Sequence, residues 1–579
     1  MKAMIARVGA VCTCLLAVSM LAGSMLAGCL LAVSMTAGAF AAALSPADQS
    51  LMDAAKQGDR ETVRSLLSSR TDVNAAEPDG STALHWAVHR QDLEMADLLI
   101  RAGANVNAAN DYGVTALALA CTNQNAALVS RLLEADANPN AALWTGETPL
   151  LTCSRTGSSE AVKALLAKGA DPNAHETQKG QTALMWAAAN KHSDIVQALI
   201  AGGADIRARS KVTSLPEPFV APCTPDDPCL TGRTEGSTYP STVHFPRTEG
   251  GFTPLLFAAQ QGDVESARAL LAAGADVNDS TTEEGTALVI ASASGNEKFA
   301  IFLLENGANP NVTDGFGVTP LHYAFHDGML EISSAKPQAT DRFGWTRPNM
   351  PELAKALLDH GADPNAKIAA DFPPYDYAPI SRSNGNFLPQ VSLVGATPFF
   401  LAAASRDLDM MRFLVERRAD PRLPAQDGVT PLMVAAGMAH ERGGVGFGGT
   451  VGVEYTTTAD QHKRILEAVK MAVDLGADVN AVNEWRQQTA LHAATFMGYA
   501  EVVEFLASKG ADLNAKDKYG QTPMTIALGD PEGLVYRQLG GARYDYSFRQ
   551  PKEQKGVAEL LLKLGAEPWT GKPRDRSGQ

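Results

Sequence analysis

The chain has 579 residues, and its 64 Asp and Glu against 49 Lys and Arg leave a formal charge of −15. That balance repels a phosphate backbone, so nucleic-acid binding is disfavoured, and solubility or a cationic partner fits it better. Lys2 and Arg7 are the only charges before Asp48, so a basic head leads into a long apolar run. This reads as a secretory signal over residues 1–43. The run is long because CLLAVSM occurs at Cys14–Met20 and again at Cys29–Met35, a tandem duplication of a 15-residue block. Cleavage after Ala41 or Ala43 would remove Lys2 and Arg7 and take the charge from −15 to −17. Two other readings stay open. LAGC at Leu26–Cys29 has the form of a lipobox, which would make Cys29 a lipid anchor, and an uncleaved segment of this length can span a bilayer. Export is common to all three, so a periplasmic or secreted location is expected, membrane-anchored in the alternative, with a bacterial source.

From residue 46 a phrase repeats. Thr followed by Pro or Ala and then an apolar residue starts at Thr82, Thr115, Thr148, Thr182, Thr253, Thr286, Thr319, Thr397, Thr430, Thr489 and Thr522. A GAD-like element begins 21 residues later in eight of these eleven units, and the common unit length is 33. With a cap-like first unit from Leu51, about twelve units are expected. Each Thr is a helix N-cap, and six units follow it with Pro, which suits the first helical position. In the unit from Thr489, Gly498 stops helix A, Glu501 to Ser508 reads as helix B, and Gly510 suits a left-handed C-cap. Tyr519-Gly520 then forms a hairpin tip. One such helix pair cannot bury its apolar face alone, but stacked copies can.

The motifs D-x-x-G-x-T-P-L-H-x-A-A, G-x-x-E-V-V-x-x-L and G-A-D-x-N-A, legible over residues 46 to about 569, resemble the ankyrin-repeat family. The resemblance implies a mainly α solenoid of helix pairs with projecting β-hairpins and a protein-binding role through the tips and the exposed side of helix A. It brings no catalytic residues. Glu284 and Gln487 stand where the hairpin Gly is expected, and Asp136 and Arg418 where the GAD Gly is. The motif His is kept at His85, His322 and His492, and the resemblance makes it structural.

Five insertions interrupt the repeats between residues 210 and 569. Those at 210–247 and 368–393 enlarge hairpins, and those at 329–349, 440–458 and 530–553 lie between helices A and B; residues 570–579 are expected to be a disordered tail. The insertions hold 15 of the 36 aromatics in 128 residues, so they either grip the scaffold or contact a partner. Candidate partner-binding residues are Tyr112, Trp144, Phe316, Trp485 and Tyr519 near the tips, with Trp345 and Tyr544 in the insertions. Cys223 and Cys229, in PCTPDDPC, are expected to form a local disulfide, whereas Cys121 and Cys153 read as small buried thiols.

No motif in the sequence has the form of a catalytic or metal site. HWAVH and HYAFH place imidazoles at i, i+4 without the Glu of a zinc-protease helix, and GVGFGG at 444–449 follows no strand. The repeated Asp and Asn read as turn formers. No metal, cofactor or catalytic residue is therefore expected. The reading is a monomeric binding protein for an unidentified protein partner. The weaker alternatives are a lipid-tethered scaffold and an enzyme with a site built from the insertions.

Overall fold

The computed structural model describes residues 45–69, 71–214, 248–332, 348–369, 393–426, 428–438, 459–484, 486–529, 531 and 553–571. Over these residues the chain is a mainly α stack of twelve consecutive helix pairs. The first pairs Pro46–Gln57 with Arg60–Ser68, and the last pairs Pro523–Ala527 with Lys555–Lys563. Helices A pack on neighbouring helices A along the stack, and helices B pack on neighbouring helices B in most of it. We number the units in chain order, so that the units beginning at Thr82 and Thr489 are units 2 and 11.

Unit 11 shows why the sequence takes this shape. Helix A, Ala490–Met497, starts at Thr489, whose hydroxyl accepts the His492 backbone N–H, and ends at Gly498 with φ 77°. Helix B, Ala500–Ser508, follows, and Gly510 turns the chain at φ 88°. The positive φ is the region that an L side chain resists. Where the sequence lacks Gly there, the substitute takes the strain: Asp136, Arg418 and Gln487 sit at φ 62°, 70° and 55°. In the hairpin carrying Glu284 the neighbouring Gly285 takes φ 76° instead.

The apolar interior is continuous. The residue two after the N-cap Thr is Leu84, Leu117, Leu150, Leu184, Leu255, Leu288, Leu321, Phe399, Leu432, Leu491 or Met524, and none is more than 3% exposed. Helix B contributes a matching row, such as Val503 and Leu506 in unit 11. Each fully buried side chain of this kind contributes about 1.5–3 kcal/mol, and the stacking of neighbouring units is what buries it.

A second device ties units together on the loop side. Asn140 Oδ1 accepts the Asp171 N–H at 2.8 Å, and its Nδ2 donates to the Gly169 carbonyl at 3.0 Å. The same double bond recurs from Asn74, Asn107 and Asn173 and, later in the chain, from Asn278, Asn311, Asn365 and Asn480. The Asx turns expected from sequence are present, since Asp171 also accepts the Asn173 N–H at 2.9 Å. The bond to the next unit is an addition that only stacking reveals.

Two places depart from the regular unit. The ends of the first insertion pair as a short antiparallel ladder, Thr213–Ser214 with Thr248–Glu249. In unit 8 helix A is cut to Pro320–Tyr323, and a second helix, His326–Ile332, runs on into what reads in sequence as an insertion. Apart from residues 210–212, 348–349, 368–369, 393, 531 and 553, the remaining parts of the five insertions lie outside the described residues. Among the described residues no helix is long and apolar enough to cross a membrane.

Candidate interaction surface

The sequence-derived candidates part company in the structure. Tyr112 and Trp144, at the tips of successive hairpins, are 64% and 77% exposed. Their tips lie side by side: a Cβ on Gly113 would come within 3.5 Å of the Leu143 Cα and the Trp144 N. Asn110 Oδ1 accepts the Tyr112 N–H at 3.1 Å, which fixes the backbone while leaving the ring outside. Phe316, expected at an exposed tip, is instead buried at 1%. The Ala369 N–H bonds the Phe316 carbonyl at 3.2 Å, so the following hairpin closes over it. Tyr519 is half-buried, with the Arg486 guanidinium 5.9 Å from its ring centre. Trp485, Trp345 and Tyr544 lie outside the described residues, as do Cys223, Cys229, Cys29 and the glycine run at 444–449.

Helix A adds groups that sequence reasoning did not single out. Four residues after the N-cap Thr stand Trp86, Leu119, Trp186 and Phe257 in units 2, 3, 5 and 6, all half-buried. The signal was available, because the position recurs at the repeat period and carries large apolar residues where a small one would pack. Charges on this side are used internally. Lys56 pairs with Glu77 and lies 5.0 Å from the Trp86 ring centre, while Glu77 also accepts the Trp86 indole N–H at 2.8 Å. Arg155 pairs with Glu147 at 3.0 Å and lies 5.7 Å from the Trp186 ring centre.

The motif histidines are structural, as the resemblance implied. His322 Nδ1 accepts the Thr319 N–H at 3.1 Å, and its Nε2 side faces the Ala366 and Ala396 carbonyls at 3.0 and 3.2 Å. That pattern requires the neutral Nε2–H tautomer and welds unit 8 to the hairpins beyond it. Burial pushes the His322 pKa down to about 4. His85 and His492 make the same bonds and are likewise held below the ordinary histidine value, chiefly by burial. Asp314 lies deep in the unit 8 hairpin and takes the Tyr323 hydroxyl at 2.6 Å and the Phe316 and Val318 N–H groups at 2.9 Å. Burial raises its pKa against those bonds, and Glu283 pushes the same way. Among the described residues no group of His, Cys, Asp and Glu has the arrangement of a metal site.

The two helix A cysteines correct the sequence reading. Cys121 and Cys153 are bonded as a disulfide, with Cα atoms 4.7 Å apart and no exposed surface. Cys121 is the sixth residue after Thr115, and Cys153 the fifth after Thr148. That offset of one turns the two thiols toward each other across adjacent helices, where equal positions would stack at the repeat spacing.

Comparison with known proteins gives one consistent family. The model for ankyrin repeats in three copies matches residues 51–142, 125–210, 255–368 and 458–535, and the single-repeat model matches 394–425. The chain is similar to the ankyrin repeat and KH domain-containing protein mask-1 of Caenorhabditis elegans, at 35% identity over 21% of this chain and 4% of that protein. It is also similar to the ankyrin repeat and SAM domain-containing protein 6 of Danio rerio, at 30% identity over 29% of this chain and 21% of that one. Similarity to the human transient receptor potential cation channel subfamily A member 1 is 24% over 49% of this chain and 26% of the channel. The chain thus spans about a quarter or less of each of these relatives.

Proposed function

The chain belongs to the ankyrin-repeat family, and from that premise we propose that it is an exported, non-catalytic binding protein holding a protein partner against its hairpin tips and helix A faces. One observation carries this most of all. Tyr112 and Trp144 stand almost free on adjacent tips of a rigid stack, and rigid aromatics lose little freedom on binding. Export is supported by the basic and apolar first 43 residues and by the buried Cys121–Cys153 disulfide, which suits an oxidising compartment. The small-residue cleavage site and the lipobox-like run support a bacterial envelope as the setting.

The test is capture from an envelope extract by the processed protein and by Tyr112→Ala/Trp144→Ala. The double variant should fold normally, by circular dichroism and melting, and retain at most a tenth of the captured partner. Equal capture by both proteins would remove the tips from the interface.

A further inference from the structure

The helix A face is open in one half of the stack and closed in the other. In units 2, 3, 4 and 6 the residue seven after the N-cap Thr is exposed (His89, Thr122, Arg155 and Gln260). In units 7 and 9 the same position is alanine and buried, Ala293 at 2% and Ala404 at 0%. The position four after the Thr behaves likewise. It is half-buried at Trp86, Leu119, Trp186 and Phe257, though Thr152 of unit 4 is buried at 4%, and it is covered at Ile290, Tyr323, Leu401 and Val434, none more than 2% exposed.

At unit 9 the covering element is the chain itself. Helix His326–Ile332 packs on helix A of that unit, Pro398–Ser405. The approach is so close that a Cβ on Gly328 would fall 2.1 Å from the Leu401 carbonyl oxygen, so only glycine fits. Asn349 fastens the crossing: its Oδ1 accepts the Asp327 N–H at 3.2 Å, and its Nδ2 reaches Ser405 Oγ at 3.3 Å and Asp407 Oδ2 at 3.0 Å. Met329 is buried beneath the crossing at 5%.

We infer that residues 326–332 are an intramolecular strap that ends the usable helix A face, so that the partner's main chain docks on units 2–6. The inference deepens the binding reading above and rests on it for the existence of a partner. The open face also states what it takes. The charges beside its two tryptophans pair internally, Lys56 with Glu77 and Arg155 with Glu147, so recognition there falls to the apolar row of Trp86, Leu119, Trp186 and Phe257. Neighbouring helices lie about 10 Å apart, and three residues of an extended chain cover about 10 Å. The matching occupant is an extended peptide segment with apolar side chains three residues apart facing units 2 and 3 and again facing units 5 and 6, the contact between them falling where Thr152 is buried.

Two measurements on the full processed chain test this. The first is maleimide labelling of Leu119→Cys, Phe257→Cys, Leu401→Cys and Ala404→Cys proteins under native conditions, which needs no partner. The first two should label at least tenfold faster than the last two, and adding Gly328→Val should abolish the protection at residues 401 and 404. Equal rates at 119 and 401 without that change would overturn the strap, whatever the partner proves to be. The second is fluorescence polarisation with a fluorescein-labelled peptide of repeating Leu-Thr-Ser, against the same peptide with Lys for Leu. The Leu peptide should bind, and Trp86→Ala/Trp186→Ala should weaken it at least tenfold. No binding, or equal binding of the Lys peptide, would overturn the assigned occupant, while equal capture by Tyr112→Ala/Trp144→Ala alongside normal peptide binding would instead count against the tips.

Discussion

Acidification from pH 6.5 to 4 is expected to cost the stack about 3 kcal/mol through His322 alone. In the unfolded chain this imidazole titrates near 6.5; in the fold, burial holds its pKa near 4. The fold therefore prefers the neutral ring. The stabilisation is complete above pH 6.5 and is lost as the pH falls toward 4, because the unfolded chain takes up the proton first. Geometry agrees with burial, since protonation would place a second donor against the Thr319 N–H at Nδ1. His85 and His492, depressed for the same main reason, add to the loss. Asp314 opposes it: burial raises its pKa, so the fold holds that proton more tightly and gains as the pH falls through the raised value. Urea midpoints near pH 7.5 and pH 4.5 measure the sum, and His322→Gln isolates the main contribution. The variant should lose about 1–3 kcal/mol at the higher pH, where the Ala366 and Ala396 carbonyls lose a partner, and should show a clearly flatter pH dependence. A wild-type slope in His322→Gln would contradict the assignment.

Reduction of the Cys121–Cys153 bond should destabilise the region around units 3 and 4 by about 3–4 kcal/mol, the loop-entropy value for a bridge between residues 32 apart in sequence. Because both sulfurs are buried, a reductant should act slowly on the native protein and quickly once that region opens. Cys121→Ala/Cys153→Ala gives the same loss without reductant, and the two treatments should not add. Hydrogen exchange localises the effect: the helices Ala116–Thr122 and Pro149–Thr156 should lose protection while unit 11 keeps it. An unchanged melting curve on complete reduction, checked by mass, would show that the packing of units 3 and 4 alone holds them.

The repeat itself was plain in the sequence, because each Thr cap, each small residue of helix A and each turn Gly answers a local requirement that recurs at a fixed spacing. The histidines were legible for the same reason. What escaped depends on the fit between units. Cys121 and Cys153 occupy positions that differ by one residue, and only the stagger of neighbouring helices shows that the offset joins them. Phe316 has the sequence context of an exposed tip, yet it is buried, and the backbone that bonds its carbonyl comes from Ala369, beyond a whole helix B. Asn140 reads as a turn former, and its second role toward Gly169 and Asp171 appears only once the next loop is in place. The strap was hidden because HDGML looks like the start of an irregular insertion, and the glycine that lets it cross Leu401 carries no periodic mark. The open and closed halves of helix A were equally invisible, since exposure at a repeated position is decided by what lies over it.

The central claim is that a partner meets this protein through the tips and helix A faces of units 2–6. Photo-crosslinking in the native compartment tests it most directly, with benzoylphenylalanine placed singly at Trp144, Leu119, Phe257 and, as a control on the opposite helix B face, Asp409. The account predicts that the first three positions join to the same protein, identified by mass spectrometry, and that Asp409 does not. Adducts from Asp409 alone, or from all four positions without distinction, would contradict it.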